Sequence, residues 1–154
     1  MASVTQTDLN QKSWHAFHKI RINLLPHLVK HLNNECGLSE AEYQVFIGLQ
    51  TSDNGQLKPS QLAEEIGWDL GRLSHQVTRM EAKGLLSKQQ CPVDARSCWV
   101  GATKKGQALF EKAQPLQMKE VNRLFSSALT NEQKRSLIEI SEAIETHLSK
   151  TINI

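Results

Sequence analysis

Residues 57–106 read LKPSQLAEEIGWDLGRLSHQVTRMEAKGLLSKQQCPVDARSCWVGATKKG, and the order of apolar, polar and turn-forming residues along this stretch decides the fold. Pro59 suits the first turn of a helix, where the amide it lacks has no intrahelical partner. Leu62, Ala63 and Ile66 then form an apolar stripe. Gly67 ends that helix, and Asp69 is a natural N-cap for the next. In the second helix Leu70, Leu73, Val77 and Met80 recur at spacings of three and four, so they share one face that can bury. The opposite face shows Arg72, His75, Gln76 and Arg79, with Ser74 at its margin. Two helices joined by a short glycine-containing turn make a helix-turn-helix. Gly71, in the first turn of the second helix, has two readings: room for a phosphate, or a tight crossing with the preceding helix.

Gly84 closes the second helix, and two runs, SKQQC and CWVGA, then read as paired strands around the turn PVDARS at 92–97. Pro92 and the short polar turn keep this hairpin from growing into a larger sheet. Asp94 and Arg96 stand two apart, so the carboxylate can orient the guanidinium. An arginine at an exposed hairpin tip suits a narrow, electronegative minor groove; alone, the pair also reads as an ordinary surface ion pair. The reading that emerges is a mainly α fold, a winged helix-turn-helix with a small β-hairpin wing. Its outer helix face carries side chains able to reach phosphates and base edges.

Four segments carry a resemblance to a known family. LAEEIG, VTRMEAKGLL, PVDARS and ATKKGQAL resemble the MarR family of bacterial and archaeal transcription regulators, closely over roughly residues 57–110 and in layout over the whole chain. The D-x-R wing followed by T-x-x-G is the specific part of the match. The chain departs from the family where Ala95 replaces the first of two common wing arginines, which leaves Arg96 alone there. The resemblance implies a regulator of double-stranded DNA, usually a repressor, that releases its operator when a small molecule or oxidant shifts the two winged lobes of a dimer. On that reading Arg72, Ser74, His75, Gln76 and Arg79 meet the major groove. Arg96, oriented by Asp94, enters the minor groove, and Lys88, Lys104 and Lys105 hold phosphates.

The 154 residues suffice for one small domain with a dimerisation layer. The net charge is +2, and residues 57–106 carry +3 of it against −1 for the remainder, so the basic excess sits on the proposed DNA-binding part. No apolar run reaches membrane-spanning length and the N-terminus lacks a secretory pattern, which places the expected site of action in the cytoplasm. No phosphate loop, metal quartet or nucleophile motif appears, so no enzyme activity and no cofactor are expected.

Outside the central stretch, residues 1–10 read as frayed. A long helix is expected from about Gln11 to Asn33, with Trp14, Phe17, Leu24, Leu28 and Leu32 as its stripe and Pro26 as a kink. Ser39 and Glu42 form a capping box before a helix with Tyr43, Phe46, Ile47 and Leu49 inside, and SDNGQ at 52–56 is a turn. Thr103 caps a helix kinked at Pro115, with Leu109, Ala113, Leu116, Leu124 and Phe125 as its stripe. Thr130 and Gln133 open a last helix carrying Leu137, Ile140, Ile144 and Leu148. These long N- and C-terminal helices hold more apolar surface than a winged domain covers, which points to a symmetric homodimer. The expected division is residues 1–36 and 107–154 for dimerisation around a DNA-binding domain at 37–106.

His27, His31 and Glu35, four apart, share a helix face, but with no fourth ligand in view no metal is assigned. The family's aromatic-acid and phenol pockets lie where the dimer helices meet the winged lobe. Trp14, His18, Arg21, Tyr43 and Trp68 are the candidates here to line one for a small aromatic or phenolic effector. A rival trigger is redox, through Cys36 or through Cys91 and Cys98 facing each other across the wing hairpin. The bland reading of these cysteines is that of small apolar side chains. The hydroperoxide sensors of the family carry their cysteine near the start of the first helix, where this chain has none. A winged helix turned to protein contacts is the alternative outside DNA binding.

Overall fold

A computed structural model describes residues 6–90 and 98–152. Six α-helices run in order as α1 (Gln6–His31), α2 (Glu40–Leu49), α3 (Pro59–Glu65), α4 (Leu70–Ala82), α5 (Lys104–Leu124) and α6 (Asn131–Thr151). Three short strands, β1 (Gln56–Leu57), β2 (Leu86–Gln90) and β3 (Cys98–Ala102), make one antiparallel sheet in the order β1-β3-β2. The result is a mainly α winged helix. The wing strands fall within a residue of where alternation and turn chemistry place them. β1 is an addition: Gln56 and Leu57 pair with Gly101 and Val100, at the end of a segment that reads as a turn.

The first helix begins at Gln6 rather than near Gln11, so residues 6–10, half of the segment expected to fray, are helical. Its C-terminus widens into one π-type turn, Leu32–Cys36, which closes on Gly37 and tucks Leu32 and Cys36 into the core. That turn absorbs one residue more than an α-turn. It carries Glu35 away from the four-residue register shared by His27 and His31. Among the described residues no cluster of metal-binding side chains forms. His31 instead places Nδ1 2.9 Å from Gln117 Oε1.

Two compact units divide the chain, Met1–Gln117 and Met118–Ile154. In the first, the core gathers Leu38 and Val45, Phe46 and Leu49 of α2, Leu62 of α3, Leu73, Val77 and Met80 of α4, Val100 of β3 and Phe110 of α5. Phe46 and Phe110 stack at 5.4 Å. The expected core positions Ile47, Leu70 and Leu116 are exposed. Leu70 is the first residue of its helix, where the inward stripe has not yet begun; α4 instead turns Leu73, Gln76, Val77 and Met80 inward. The Ser39–Glu42 capping box is formed, with Ser39 Oγ accepting from the Glu42 amide at 3.1 Å and Glu42 Oε2 from the Ser39 amide at 2.9 Å. In the second unit Thr130 and Gln133 cap α6 in the same reciprocal way.

α1 and α6 bury none of their residues. Trp14, Phe17 and Ile20 on α1 and Ile140 and Ile144 on α6 are more than half exposed. No helix among the described residues is long and apolar enough to cross a membrane.

Two glycines mark close approaches. A Cβ at Gly48 would lie 2.6 Å from Ile66 Cγ2 and 2.7 Å from Leu62 Cδ1, so the tight crossing of a neighbouring helix on α3 occurs here and not at Gly71. A Cβ at Gly106 would run into the Leu85 carbonyl oxygen, a backbone atom with little freedom to yield. Gly106→Ala is therefore expected to cost about 1–3 kcal/mol in urea unfolding. Gly71→Ala, whose Cβ would meet only Asp69 Oδ1 at 3.2 Å, should stay within about 1 kcal/mol of the parent.

Candidate nucleic-acid interface

The helix-turn-helix is set by short-range bonds. At the end of α3 the Trp68 amide donates to Ala63 O at 2.8 Å and the Gly67 amide to Glu64 O at 3.2 Å. Gly67 takes φ +68°, a left-handed conformation natural to glycine. Asp69 then caps α4, its Oδ1 accepting from the Arg72 amide at 2.8 Å. With Leu73, Val77 and Met80 fixed inward, rotation of about 100° per residue puts Gly71, Ser74, His75 and Thr78 on the far side. Arg72 and Arg79 stand on one flank.

Arg72, Ser74, His75 and Arg79 are all exposed on α4. Gln76 is not. It is 4 % exposed, and its Oε1 accepts from Arg79 Nη2 at 2.7 Å, so it braces an arginine rather than facing outward. The periodicity argument misses this because it phases the stripe from Leu70, which tips the far edge of the buried face past Gln76. Lys88 on β2 pairs with Glu81 at 3.0 Å. Lys104 and Lys105 are exposed in the first turn of α5, and Lys105 Nζ also donates to Lys83 O at 2.9 Å. That bond and the exposed position account for two lysines at the wrong end of a helix dipole. Asp94 and Arg96 lie outside the described residues.

The five residues expected to line an effector pocket do not come together. Trp14 lies exposed against Phe17, and Arg21 approaches His18 within α1 at 3.4 Å. Trp68 sits under Arg72, whose guanidinium carbon is 3.9 Å from the ring centroid. His18 lines a hollow along α1 with His15, Lys19 and Ile22, while Tyr43 lines a separate, half-open space of about 400 Å³ together with Leu25, Leu28, Ile47, Ile66 and Gln117. Glu40 and Glu65 stand in its wall, and no lysine or arginine is among its described lining residues. Contributors as far apart as Leu28 and Gln117 carry no local signal in the sequence.

Cys36 is buried with Sγ 3.7 Å from Ala113 O, and burial, helped by the charge of Glu35, pushes its thiol up and away from the reactive thiolate. Cys98 is a free thiol with Gln90 as its cross-strand partner. Cys91, and with it the expected pairing of Cys91 and Cys98 across the hairpin, lies outside the described residues.

Residues 38–98 match the MarR family. The chain is similar to AbsC, a MarR family transcriptional regulator from Streptomyces coelicolor, at 28% identity with a TM-score of 0.87 over 98% of this chain and 100% of that one. It is similar to Sco3205 of the same organism, a MarR family regulator solved in complex with DNA, at 27% identity and a TM-score of 0.86 over 94% and 92% of the two chains. An uncharacterized HTH-type transcriptional regulator of Bacillus cereus (strain ATCC 10987 / NRS 248) is 26% identical over 113 residues, 73% of this chain and 74% of the relative.

The inner end of α4 is held by a charge. Glu42, with a side chain 5% exposed, accepts a 2.5 Å hydrogen bond from Lys83 Nζ at the C-cap of α4. Burial on its own raises a carboxyl. Here the hydrogen bond and charge of Lys83 and the bonds from Ser39 outweigh it and hold Glu42 below the ordinary carboxylate range. A carboxyl held lower in the folded chain than in the unfolded one stabilises the fold above its unfolded value. That contribution fades as pH falls through the folded value. Glu42→Gln is thus expected to lower the urea midpoint at pH 7, with the gap to the parent closing below about pH 4.

Proposed function

The chain belongs to the MarR family of transcription regulators and carries its DNA-binding fold, and from that premise we propose that it acts as a homodimeric repressor released from a near-palindromic operator by a small molecule. The observation that carries the DNA reading is the exposed side of α4, where Arg72, Ser74, His75 and Arg79 stand on a helix pinned by core contacts on its other side. These side chains serve the major groove. Arg96 with Asp94 serves the minor groove, and Lys88, Lys104 and Lys105 serve the phosphates. Lys88 exchanges its partner Glu81 for a phosphate at modest cost, since exposed ion pairs are weak.

Dimerisation is supported by the unburied apolar stripes of α1 and α6. A second copy is the occupant that symmetry favours, and residues 1–36 and 107–154 supply the pairing surface around the DNA-binding segment 37–106. For the effector, the cavity beside Tyr43 supports an uncharged aromatic such as a phenol over an aromatic acid. An anion would meet Glu40 and Glu65, and the described lining residues include no lysine or arginine to offset them. Such a ligand releases DNA to the extent that it binds the DNA-incompetent arrangement more tightly.

Selection from random duplexes at two salt concentrations tests the reading. A near-palindrome with half-sites roughly 34–36 Å apart should be enriched, and affinity should fall steeply with salt. Arg96→Ala should bind the selected site severalfold or more weakly with the dimer intact. No enrichment at low salt would return the outer face of α4 to protein contacts. Ile144→Glu, which sets a charge on the α6 stripe, should weaken self-association at least about tenfold in sedimentation equilibrium. An unchanged dimer would remove α6 from the interface.

A further inference from the structure

Seven residues separate Arg72 from Arg79. That is close to two turns, so both side chains leave α4 within about 20° of each other and roughly 10 Å apart along the axis. A flank arginine has a long, rotatable stem and would ordinarily sample many positions. Each of these two has a support. The guanidinium of Arg72 lies 3.9 Å from the centroid of Trp68, within range of the attraction between a cation and an indole face. Arg79 Nη2 donates to Gln76 Oε1 at 2.7 Å.

The supports are anchored in turn. Trp68 packs against the core from the turn between α3 and α4, and Gln76 is buried beside Leu73, Val77 and Met80. Burying an amide on the inward face of a helix costs free energy that an apolar side chain would not, and the hydrogen bond it gains goes to an arginine. A contact over an indole face engages the plane of a guanidinium and leaves its N–H edges free. The Gln76 bond takes one Nη2 hydrogen of Arg79 and leaves the others.

Resting on the operator-binding reading above, we propose that Trp68 and Gln76 are positioning residues that hold Arg72 and Arg79 as two preset guanidinium readers, directed at guanines about three base pairs apart in one half-site. The paired N–H groups of an arginine match O6 and N7 of guanine. A side chain already held in place loses less freedom when it makes that match.

The full chain and its variants are measured against the selected duplex and against each single-base change in it. Arg72→Ala should erase preference at one guanine by roughly tenfold or more. Trp68→Leu should reproduce most of that loss at the same position, Trp68→Phe should restore it, and Trp68→Leu should add nothing once residue 72 is alanine. Gln76→Met should act likewise at the position read by Arg79 and leave the first alone. Gln76→Glu, which keeps an acceptor for Arg79, should retain preference there and keeps the test open if the methionine variant unfolds. A loss spread evenly over all positions, or the same Trp68→Leu penalty with and without Arg72, overturns the proposal and leaves Trp68 a packing residue. A parent chain that enriches no duplex fails the operator reading itself. A parent that enriches a site indifferent to Arg72 and Arg79 refutes the present inference alone.

Discussion

The β2–β3 hairpin, α4 and α5 all meet at one junction, where the backbone of Leu85 and the start of α5 come into direct contact. Thr103 Oγ1 donates to Gly84 O at 2.6 Å and accepts from the Gly106 amide at 3.0 Å, while the Thr103 amide donates to Leu85 O at 3.0 Å. One threonine thus ends the hairpin, caps a helix and bonds to the glycine just past the previous helix. Gly106 lets α5 lie directly on the Leu85 carbonyl. The junction fixes where β2 can begin and β3 must end. Through Leu86 opposite Ala102 it sets the register of the whole hairpin. The T-x-x-G element that marks the family in the sequence is, in physical terms, this closure.

From that base the fold separates two tasks on α4. Its inward side is apolar apart from Gln76, and its C-cap is anchored through Lys83 to a buried carboxylate. The other side is left to solvent and keeps its polar groups available. Removing one partner of an ion pair with a buried member leaves an uncompensated charge, so the Glu42–Lys83 contact resists rotation of α4 about its own axis.

How much of this was legible follows from the range of each signal. Caps at Ser39, Asp69, Thr103 and Thr130 are local and read directly, as are the strands around PVDARS and the inward set Leu73, Val77 and Met80. β1 escaped because two residues cannot display alternation. The π-type turn escaped because nothing in the local pattern marks it: Leu32 and Cys36, four apart, would share a face in a regular helix as well. The exposed arginines, Ser74 and His75 followed from helix period, whereas the inward turn of Gln76 depended on a phase that Leu70, at the helix start, misreports. The cavity beside Tyr43 was largely hidden, since its walls come from segments distant in the chain.

The widened turn at Leu32–Cys36 separates α1 from the winged part by one residue more than a regular helix would. Deleting that residue would restore the α-pattern and swing every side chain of α1 about 100° around its axis. The face now bearing Trp14, Phe17 and Ile20 would then point elsewhere, while no residue of α3, α4 or the hairpin would change. Two otherwise similar chains that differ at this one turn would carry their α1 apolar stripes in different directions. A single-residue indel at Leu32–Cys36 therefore works as an angular key. It would redirect the exposed apolar face of α1 while the outer side of α4 stays as it is.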